Sequence, residues 1–420
     1  MEISEKTRAL AAEAEAALSD IFREIDEVAR IGTERVLDVF RAERVSEGMF
    51  AASTGYGYGD AGRDAIDRIA AAVFGAEAGF MRPSILSGTH ALTVGLFGLL
   101  RPGDVMLSVT GEPYDTLREV VGIDGANGDG SLADFGVRYA GVEFRPDGSF
   151  DWAGIADALQ KYGRAVKVVY FQRSKGYLSR PTLMVSQIGE AIDFVRAHAA
   201  GPLYTVVDNC YGEFTETREP TAVGADLIIG SLIKNPGGGM ADVGGYLCGT
   251  KRAVELCGNR LICPGVGLDA GASLGQNRNM LRGLFYAPHT VAQAMKTAHL
   301  AAYMFEKCGF SVFPGPFERR ADIIQTISLG SADRLCRFCR GIQAASPVDS
   351  HVTPEPWEMP GYADPVIMAA GAFVGGASIE LSADAPLRAP YTAFLQGGLT
   401  YESGRLGIMA ACEYVCAAEA

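Results

Sequence analysis

Apolar residues recur along the first part of the chain at the spacing of a helix. A segment rich in alanine, glutamate and arginine carries them mostly three or four residues apart: Leu18, Ile21, Ile25, Val28, Ile31, Val36, Leu37 and Phe40. This period places them on one face and predicts helix over residues 4–46. The glycine-rich segment 53–60 interrupts the pattern and is expected to end the helix.

Short apolar runs alternate with helical patterns from about Arg63 to Gly249. Because helices between strands connect parallel neighbours, this alternation predicts an α/β fold with a mainly parallel sheet covered by helices. Strands are predicted at Val105–Val109, Val166–Phe171, Leu203–Val207 and Leu227–Ser231.

The pattern changes after residue 288. A long helix is predicted at 290–308, and strand-like segments follow at 323–329 and 378–381, which together predict a smaller C-terminal α+β domain. The expected organisation has three parts: an N-terminal helical segment with a glycine-rich arm at 1–60, a large domain at 61–288, and a small domain at 289–420.

A lysine stands directly after the last of these apolar runs. Lys234 precedes Asn-Pro and three glycines, so its amine is expected inside the protein. Lysine is rarely buried without a partner, and burial favours the neutral, nucleophilic amine that forms a Schiff base with an aldehyde. We therefore predict that Lys234 binds pyridoxal 5′-phosphate (PLP). The alternative is a surface lysine that happens to follow a strand.

An aspartate ends the run before it. Asp208 follows Leu203–Val207, at the carboxyl edge where open α/β sheets place their ligands. Its carboxylate is expected to keep the pyridinium nitrogen of PLP protonated, which the chemistry of this cofactor requires. The alternative is a helix cap or a turn acid after a strand.

A phosphate site is predicted at the start of a helix. Ser87, Gly88 and Thr89 precede the helical pattern 91–100, so free amides and hydroxyls are expected at a helix N-terminus. Ser231, three residues before Lys234, is expected to bind the same phosphate. A plain helix cap is the alternative for residues 87–90.

Three tyrosines are further candidates. Tyr114 follows the strand 105–109 and is expected to stack on the cofactor ring; the alternative is a core or surface tyrosine. Tyr56 and Tyr58 lie in the glycine-rich arm, where phenols tend to be functional. One possibility is that they extend to the phosphate of a partner subunit.

Two arginines are candidates for binding a substrate carboxylate. Gln172 and Arg173 close the strand 166–171, and Arg388 lies between Pro386 and Pro390. Either guanidinium could bind the carboxylate through two parallel hydrogen bonds, and each is otherwise an ordinary surface charge. Arg388 is favoured over Arg173, and Gln172 is a further substrate-binding candidate.

Composition narrows the classes of partner. The chain has 420 residues, 48% of them apolar, which suffices for one large and one smaller core. Its net charge of −13 argues against nucleic acid or an anionic membrane as the main partner. Glycines interrupt the longest mostly apolar segment, 366–381, so no membrane helix is expected. The acidic N-terminus shows no secretory signal, and a cytoplasmic location is expected.

Nine cysteines without a secretory signal predict reduced thiols. Cys336 and Cys339 form the single C-x-x-C pattern and are interpreted as two thiols on a helix rather than as a zinc or redox site. The five histidines lack the spacing of metal ligands, so no metal site is expected.

These motifs resemble those of fold-type I PLP enzymes, and among them the lyases of cysteine and methionine metabolism. Ser231-Leu-Ile-Lys234 is similar to their Ser-x-x-Lys, Asp208-Asn209 to their Asp-Asn, and Tyr114-Asp-Thr116 to their Tyr-x-x-Thr region. More closely, segments 53–59, 87–90, 207–214 and 230–239 resemble the methionine γ-lyase-like "aluminium resistance" group of proposed cystathionine β-lyases.

The resemblance covers about residues 30–405. It implies the aspartate aminotransferase-like fold, PLP as cofactor, and a homotetramer of two close dimers with active sites at subunit interfaces.

Two positions depart from the family pattern. Where the general lyases have an arginine that binds the α-carboxylate of the substrate, this chain has Glu380 in Ile-Glu-Leu-Ser. The anchor for this carboxylate must therefore come from elsewhere. Lys175 stands where arginine was expected, and it keeps the charge but loses the planar fork.

The expected activity is that of a carbon–sulfur lyase acting on a small sulfur amino acid of the cystathionine, methionine or cysteine type. Lys234 is expected to remove the α-proton as general base before β- or γ-elimination. Two alternatives stay open: an aminotransferase or another lyase on the same scaffold, and a non-catalytic PLP-binding stress-response protein.

Overall fold

The computed structural model describes residues 2–124, 128–176, 178, 180–359 and 364–416. Its α-helices are α1 Glu5–Ala17, α2 Ser19–Ala42, α3 Ala61–Val73, α4 Gly88–Leu99, α5 Asp115–Val121, α6 Trp152–Tyr162, α7 Val185–His198, α8 Lys251–Leu261, α9 Asn277–Lys307, α10 Ala332–Ala344 and α11 Tyr401–Cys416. Its strands are β1 Ala78–Arg82, β2 Val105–Ser108, β3 Arg138–Gly141, β4 Val166–Gln172, β5 Tyr204–Asp208, β6 Leu227–Ser231, β7 Gly245–Gly249, β8 Ser311–Phe313, β9 Gln325–Ser328, β10 Val366–Ala369, β11 Ser382–Pro386 and β12 Thr392–Gln396.

The chain divides into two compact units. The large-sheet unit comprises Arg35–Leu232 and Ala241–Arg282, and the small-sheet unit comprises Met1–Glu34, Ile233–Met240 and Gly283–Ala420. The domain boundaries expected from the sequence at residues 60 and 288 stay a prediction.

The large-sheet unit is built on seven strands in the order β1-β7-β6-β5-β4-β2-β3. Strands β2 to β6 run parallel to one another, whereas β7 is antiparallel to both β1 and β6. The mainly parallel sheet predicted from the sequence is therefore confirmed. Side chains of β4, β5, β6 and α4 form its apolar core, among them Val168, Val206, Ile229 and Leu96. Burial of these strands explains their nearly continuous apolar sequences.

The small-sheet unit has five antiparallel strands in the order β10-β11-β12-β9-β8. Its core joins residues from the N-terminal and C-terminal parts of the chain, including Leu18, Phe305, Phe338 and Ile408. Helix α1 therefore belongs to the same core as α11.

Two helices predicted from the sequence differ from the structure in their limits. The helix expected at 4–46 is two helices, α1 and α2, with Leu18 between them. Helix α9 begins at Asn277, well before the expected residue 290, and contains Pro288 in its interior. Proline lacks the N–H that continues a helix, so the sequence favoured a boundary there.

The strand expected at 378–381 was wrong, because the backbone there makes other hydrogen bonds. The Ile379 N–H donates to the Ile233 carbonyl (3.0 Å), and the Ile379 carbonyl accepts from the Gly398 N–H (2.8 Å). Strand β11 begins only at Ser382.

Among the described residues, no helix combines the length and the apolar character that crossing a membrane requires.

Candidate active site

Three predicted site residues end neighbouring parallel strands of the large sheet. Gln172 is the last residue of β4, Asp208 of β5 and Ser231 of β6, and all three are buried. Gln172 and Asp208 are also direct partners in the register of β4 and β5. These side chains therefore lie along one carboxyl edge, the usual ligand position in such sheets.

Asp208 uses both carboxylate oxygens within this edge. Oδ1 accepts the N–H of Cys210 at 3.1 Å, and Oδ2 accepts the hydroxyl of Tyr170 at 3.4 Å. Burial and the negative charge of Asp208 raise the pKa of Tyr170 well above its ordinary value, so this hydroxyl remains a donor. Asp208 is thus a turn acid through one oxygen, and its other oxygen is oriented by a buried phenol.

The start of α4 combines a side-chain cap with backbone N–H groups of the first turn. Ser87 caps the helix, with its Oγ accepting the His90 N–H at 3.1 Å. The N–H groups of Gly88 and Thr89 belong to the first turn, where backbone donors have no acceptor within the helix. A phosphate fits this combination of N–H donors and the positive end of the helix dipole.

Tyr114 is held against the same helix end by hydroxyl contacts. Thr89 Oγ1 lies 2.9 Å from the Tyr114 hydroxyl and 3.0 Å from Thr116 Oγ1. The Tyr114 N–H donates to Gln172 Oε1 at 3.0 Å, and Gln172 Nε2 donates to the Ser174 carbonyl at 3.0 Å. Gln172 therefore holds the Tyr114 backbone through Oε1, while Nε2 fixes the amide itself to Ser174.

Arg173 lies in a buried polar network rather than at an open surface. Its side chain is 0% exposed. Nη1 donates to Asn209 Oδ1 (2.8 Å), Nη2 to Glu216 Oε1 (2.8 Å) and Thr215 Oγ1 (3.3 Å), and Nε to the Leu183 carbonyl (3.2 Å). All three guanidinium nitrogens thus donate to internal acceptors, and they tie the end of β4 to the residue after Asp208.

The network continues beyond Asn209 to a neutral carboxyl group. Asn209 Nδ2 donates to Glu219 Oε2 (3.1 Å) and to the Tyr246 hydroxyl (3.3 Å), which in turn donates to Glu213 Oε1 (2.8 Å). Glu213 is fully buried, and burial, with a smaller effect of the Glu219 charge, raises its pKa to about 8. Glu213 is therefore mostly protonated at neutral pH.

The glycine-rich arm presents two exposed aromatic rings on an anchored loop. Tyr56 is 77% exposed and Tyr58 65% exposed, and their rings stack with centroids 5.7 Å apart. The buried Arg63 donates to the carbonyls of Gly57 (2.7 Å) and Gly271 (3.0 Å). Gly57 has φ +66°, a conformation that favours glycine.

Lys234 belongs to the small-sheet unit. It is half-buried, whereas the sequence predicted an amine inside the protein. Its carbonyl accepts the Gly237 N–H at 3.2 Å in the 3-10 turn Asn235–Gly237. The hydrogen bond from Ile379 to the preceding residue, Ile233, fixes this segment within the unit. The backbone of Lys234 is therefore fixed, while part of its side chain stays accessible.

Glu380, which stands where an arginine was expected, has an internal role. Its carboxylate oxygens accept the N–H groups of Phe373 and Val374, both at 2.9 Å. Arg388 lies in the turn between β11 and β12, is 51% exposed, and pairs with Asp364 at 3.3 Å. Of the two candidate arginines, Arg388 has the accessible guanidinium. Lys175 is fully buried.

The sequence profile of the methionine γ-lyase family matches residues 7–416. The chain belongs to the methionine γ-lyase family. The family comprises PLP-dependent carbon–sulfur lyases, so the enzyme class and fold type I predicted from the sequence are confirmed.

Two solved structures of this family are similar over nearly the whole chain. A carbon–sulfur lyase involved in aluminium resistance from Clostridium novyi NT is 46% identical, with a TM-score of 0.93 covering 97% of this chain and 96% of that one. A candidate cystathionine β-lyase involved in aluminium resistance from Listeria monocytogenes strain 4b F2365 is 46% identical, with a TM-score of 0.94 covering 97% and 100%. The PLP-dependent protein YhfS from Escherichia coli, 15% identical with a TM-score of 0.61 covering 92% and 95%, shares the fold alone.

The sequence did not reveal two residues at the carboxyl edge. Tyr170 lies within the apolar run of β4. A buried phenol needs a hydrogen-bond partner, and this requirement could have indicated a polar neighbour on the next strand. The buried Arg180 donates to the carbonyls of Thr110 and Ser174 beyond the strand ends. An arginine next to a proline in a loop carries no sequence signal of that role.

We predict that Glu213→Gln removes part of the pH dependence of stability. The folded protein keeps the Glu213 proton up to about pH 8, whereas the ordinary carboxyl pKa is 4.5. Between these values the folded state binds more protons than the unfolded state, so stability falls as pH rises, by up to about 1.4 kcal/mol per unit. The variant should lack this slope in denaturation midpoints measured from pH 5 to 8. Glu24→Gln, at an exposed position, is the control, and an unchanged slope in Glu213→Gln would mean that Glu213 is ionised.

Proposed function

We propose that this protein cleaves a carbon–sulfur bond of an amino acid of the cystathionine, methionine or cysteine type by β- or γ-elimination, with PLP as cofactor. The main support is the buried Asp208 at the carboxyl edge of the large sheet, with a hydrogen bond from Tyr170. The names of the Clostridium and Listeria relatives point to the same chemistry.

The described residues fit the groups of PLP. The donors of Ser87, Gly88 and Thr89, with Ser231, would hold the phosphate, and Asp208 would accept the N–H of the ring nitrogen. Tyr114 would stack on the ring, and Lys234 is the proposed attachment residue because of its place in Ser-x-x-Lys. When bound, PLP supplies an electron sink for breaking bonds at the substrate.

The remaining chemistry belongs to the side chains of this chain. The Lys234 amine takes the proton from Cα of the amino acid as general base and returns a proton later in the reaction. Asp208 would accept the N–H of the ring nitrogen, and the Tyr170 hydroxyl holds the carboxylate in orientation. Electrostatic stabilisation needs a polar group in a fixed position, and the contacts of Asp208 hold its carboxylate in place.

We propose that Arg388 binds the substrate carboxylate. The guanidinium nitrogens of Arg173 and both ends of the Gln172 amide already form hydrogen bonds within the protein, whereas the Arg388 side chain is half exposed.

We further propose that the protein is a homotetramer and that Tyr56 and Tyr58 extend to the phosphate site of a partner subunit. Their exposure and their anchored loop support this role.

The test of the activity is a panel of sulfur amino acids assayed for keto acid, ammonia and thiol without an amino acceptor. We expect product from at least one of them and none with Lys234→Ala, while Lys251→Ala, at the start of α8, stays active. Borohydride reduction and peptide mapping should place cofactor mass on the peptide that contains Lys234. Turnover that requires an added acceptor would indicate a transaminase, and no turnover would indicate a binding protein.

Asp208→Asn should retain PLP, because the residues proposed for the phosphate are unchanged, but kcat should fall on the order of a hundredfold or more. Tyr170→Phe removes one long hydrogen bond to the Asp208 carboxylate (3.4 Å) and should cost only about 1 kcal/mol, roughly fivefold in kcat. Steady-state kinetics and cofactor absorbance measure both variants. A near-normal rate for Asp208→Asn would reduce Asp208 to a turn acid.

The two arginines should respond oppositely to the same substitution. Arg173→Leu leaves buried acceptors unpaired and should lower the free energy of unfolding by about 3–5 kcal/mol. Arg388→Leu should change it by less than about 1 kcal/mol, yet lower kcat/KM roughly ten- to a hundredfold through the lost bidentate contact. Denaturant titration measures the stability of both variants, and steady-state kinetics measures their kcat/KM. A stable Arg173→Leu with low kcat/KM, together with an unstable Arg388→Leu, would exchange the two roles.

A further inference from the structure

Three thiols from two helices meet in the small-sheet unit. Cys308 directly follows α9, and Cys412 and Cys416 lie one turn apart on α11. Their sulfur atoms all lie within 4.8 Å of one another. Cys308 Sγ is 3.7 Å from Cys412 Sγ, which is 4.0 Å from Cys416 Sγ. We call this group the three-cysteine cluster.

These distances suit three ligands of one metal ion. A metal–sulfur bond of about 2.3 Å places two thiolates of the same ion roughly 3.8–4.0 Å apart, in tetrahedral or trigonal geometry. The separations of 3.7 and 4.0 Å lie close to that range, so an ion would need little movement of the sulfur atoms. A disulfide needs about 2.05 Å, and therefore a much larger approach of either pair.

The three thiols differ in their burial and in their surroundings. Cys412 is buried, and Cys308 and Cys416 are half-buried at the margin of the small-sheet core. Contacts from Cys412 and Cys416, and the positive charge of Lys6, lower the pKa of Cys308, and the contact with Cys308 raises the pKa of Cys412.

We propose that Cys308, Cys412 and Cys416 bind one soft metal cation of the Zn²⁺ class through all three sulfur atoms. Three thiolates select soft cations over hard ones such as Mg²⁺. Binding as thiolates releases the protons of the thiols to the solvent, and water would fill a fourth position on the ion. The ion would join the end of α9 to α11. This site is separate from the proposed lyase chemistry and does not rest on it.

The test uses the reduced, PLP-containing protein titrated with Cd²⁺, whose thiolate complexes absorb in the ultraviolet. We expect one Cd²⁺ per chain, displaced by Zn²⁺ but not by Mg²⁺. Cys308→Ser and Cys416→Ser should each weaken Cd²⁺ binding at least tenfold. Replacing a residue that only orients a metal ligand already lowers metal affinity about tenfold or more, and replacing the ligand itself should lower it at least as much. Cys263→Ser, at an exposed cysteine, and Cys336→Ser, at a half-buried one, are matched controls that should bind normally.

A second measurement keeps the proposal testable if a cluster variant fails to fold. In the unmodified chain, Cd²⁺ should protect Cys308 and Cys416 from alkylation, read by peptide mass mapping, while Cys263 stays reactive. Reduced protein that binds no Cd²⁺, cluster variants that bind like the controls, or alkylation that Cd²⁺ does not slow would each overturn the site.

Discussion

The hydrogen bond from Arg173 to Asn209 joins the carboxyl ends of two neighbouring strands and fixes the turn that carries Asp208. Arg173 follows β4 and Asn209 follows β5, so this contact determines how the two strand ends face each other. Gln172, the residue before Arg173, accepts the N–H of Tyr114. The hydroxyl of Tyr114 in turn contacts Thr89 at the start of α4. The candidate site in the large-sheet unit thus depends on one guanidinium that is itself hidden from solvent.

Polar groups beneath the carboxyl edge are expensive to bury, and the structure limits the cost by keeping several of them neutral. Tyr170 and Tyr246 stay protonated, and Glu213 is mostly protonated at neutral pH. The buried guanidinium of Arg173 is balanced by Glu216 and Glu219. Such networks contribute little net stability compared with apolar packing, but removing one partner is strongly destabilising. Their effect here is to hold side chains in one orientation.

Local patterns predicted much of the fold and the positions of the main site residues, but not the roles that depend on distant contacts. Strand β6 was predicted with its observed limits, and Asp208 was placed at the end of its strand. The internal roles of Arg173 and Glu380 depend on which backbone groups lie nearby, which no periodicity encodes. Helix α9 continues through Pro288 because its tertiary packing outweighs the local preference. The three-cysteine cluster unites residues 104 positions apart, beyond any spacing rule for metal ligands.

The stacked pair Tyr56 and Tyr58 shows that an exposed side chain need not be a disordered one. Each large side chain that becomes immobile on association costs roughly 0.5–1.5 kcal/mol in lost freedom. In the glycine-rich arm, Arg63 and the ring-to-ring contact impose most of this order while a single chain folds. Any surface that meets these rings therefore finds a preformed shape, and the entropy of ordering them is no longer part of the free energy of association.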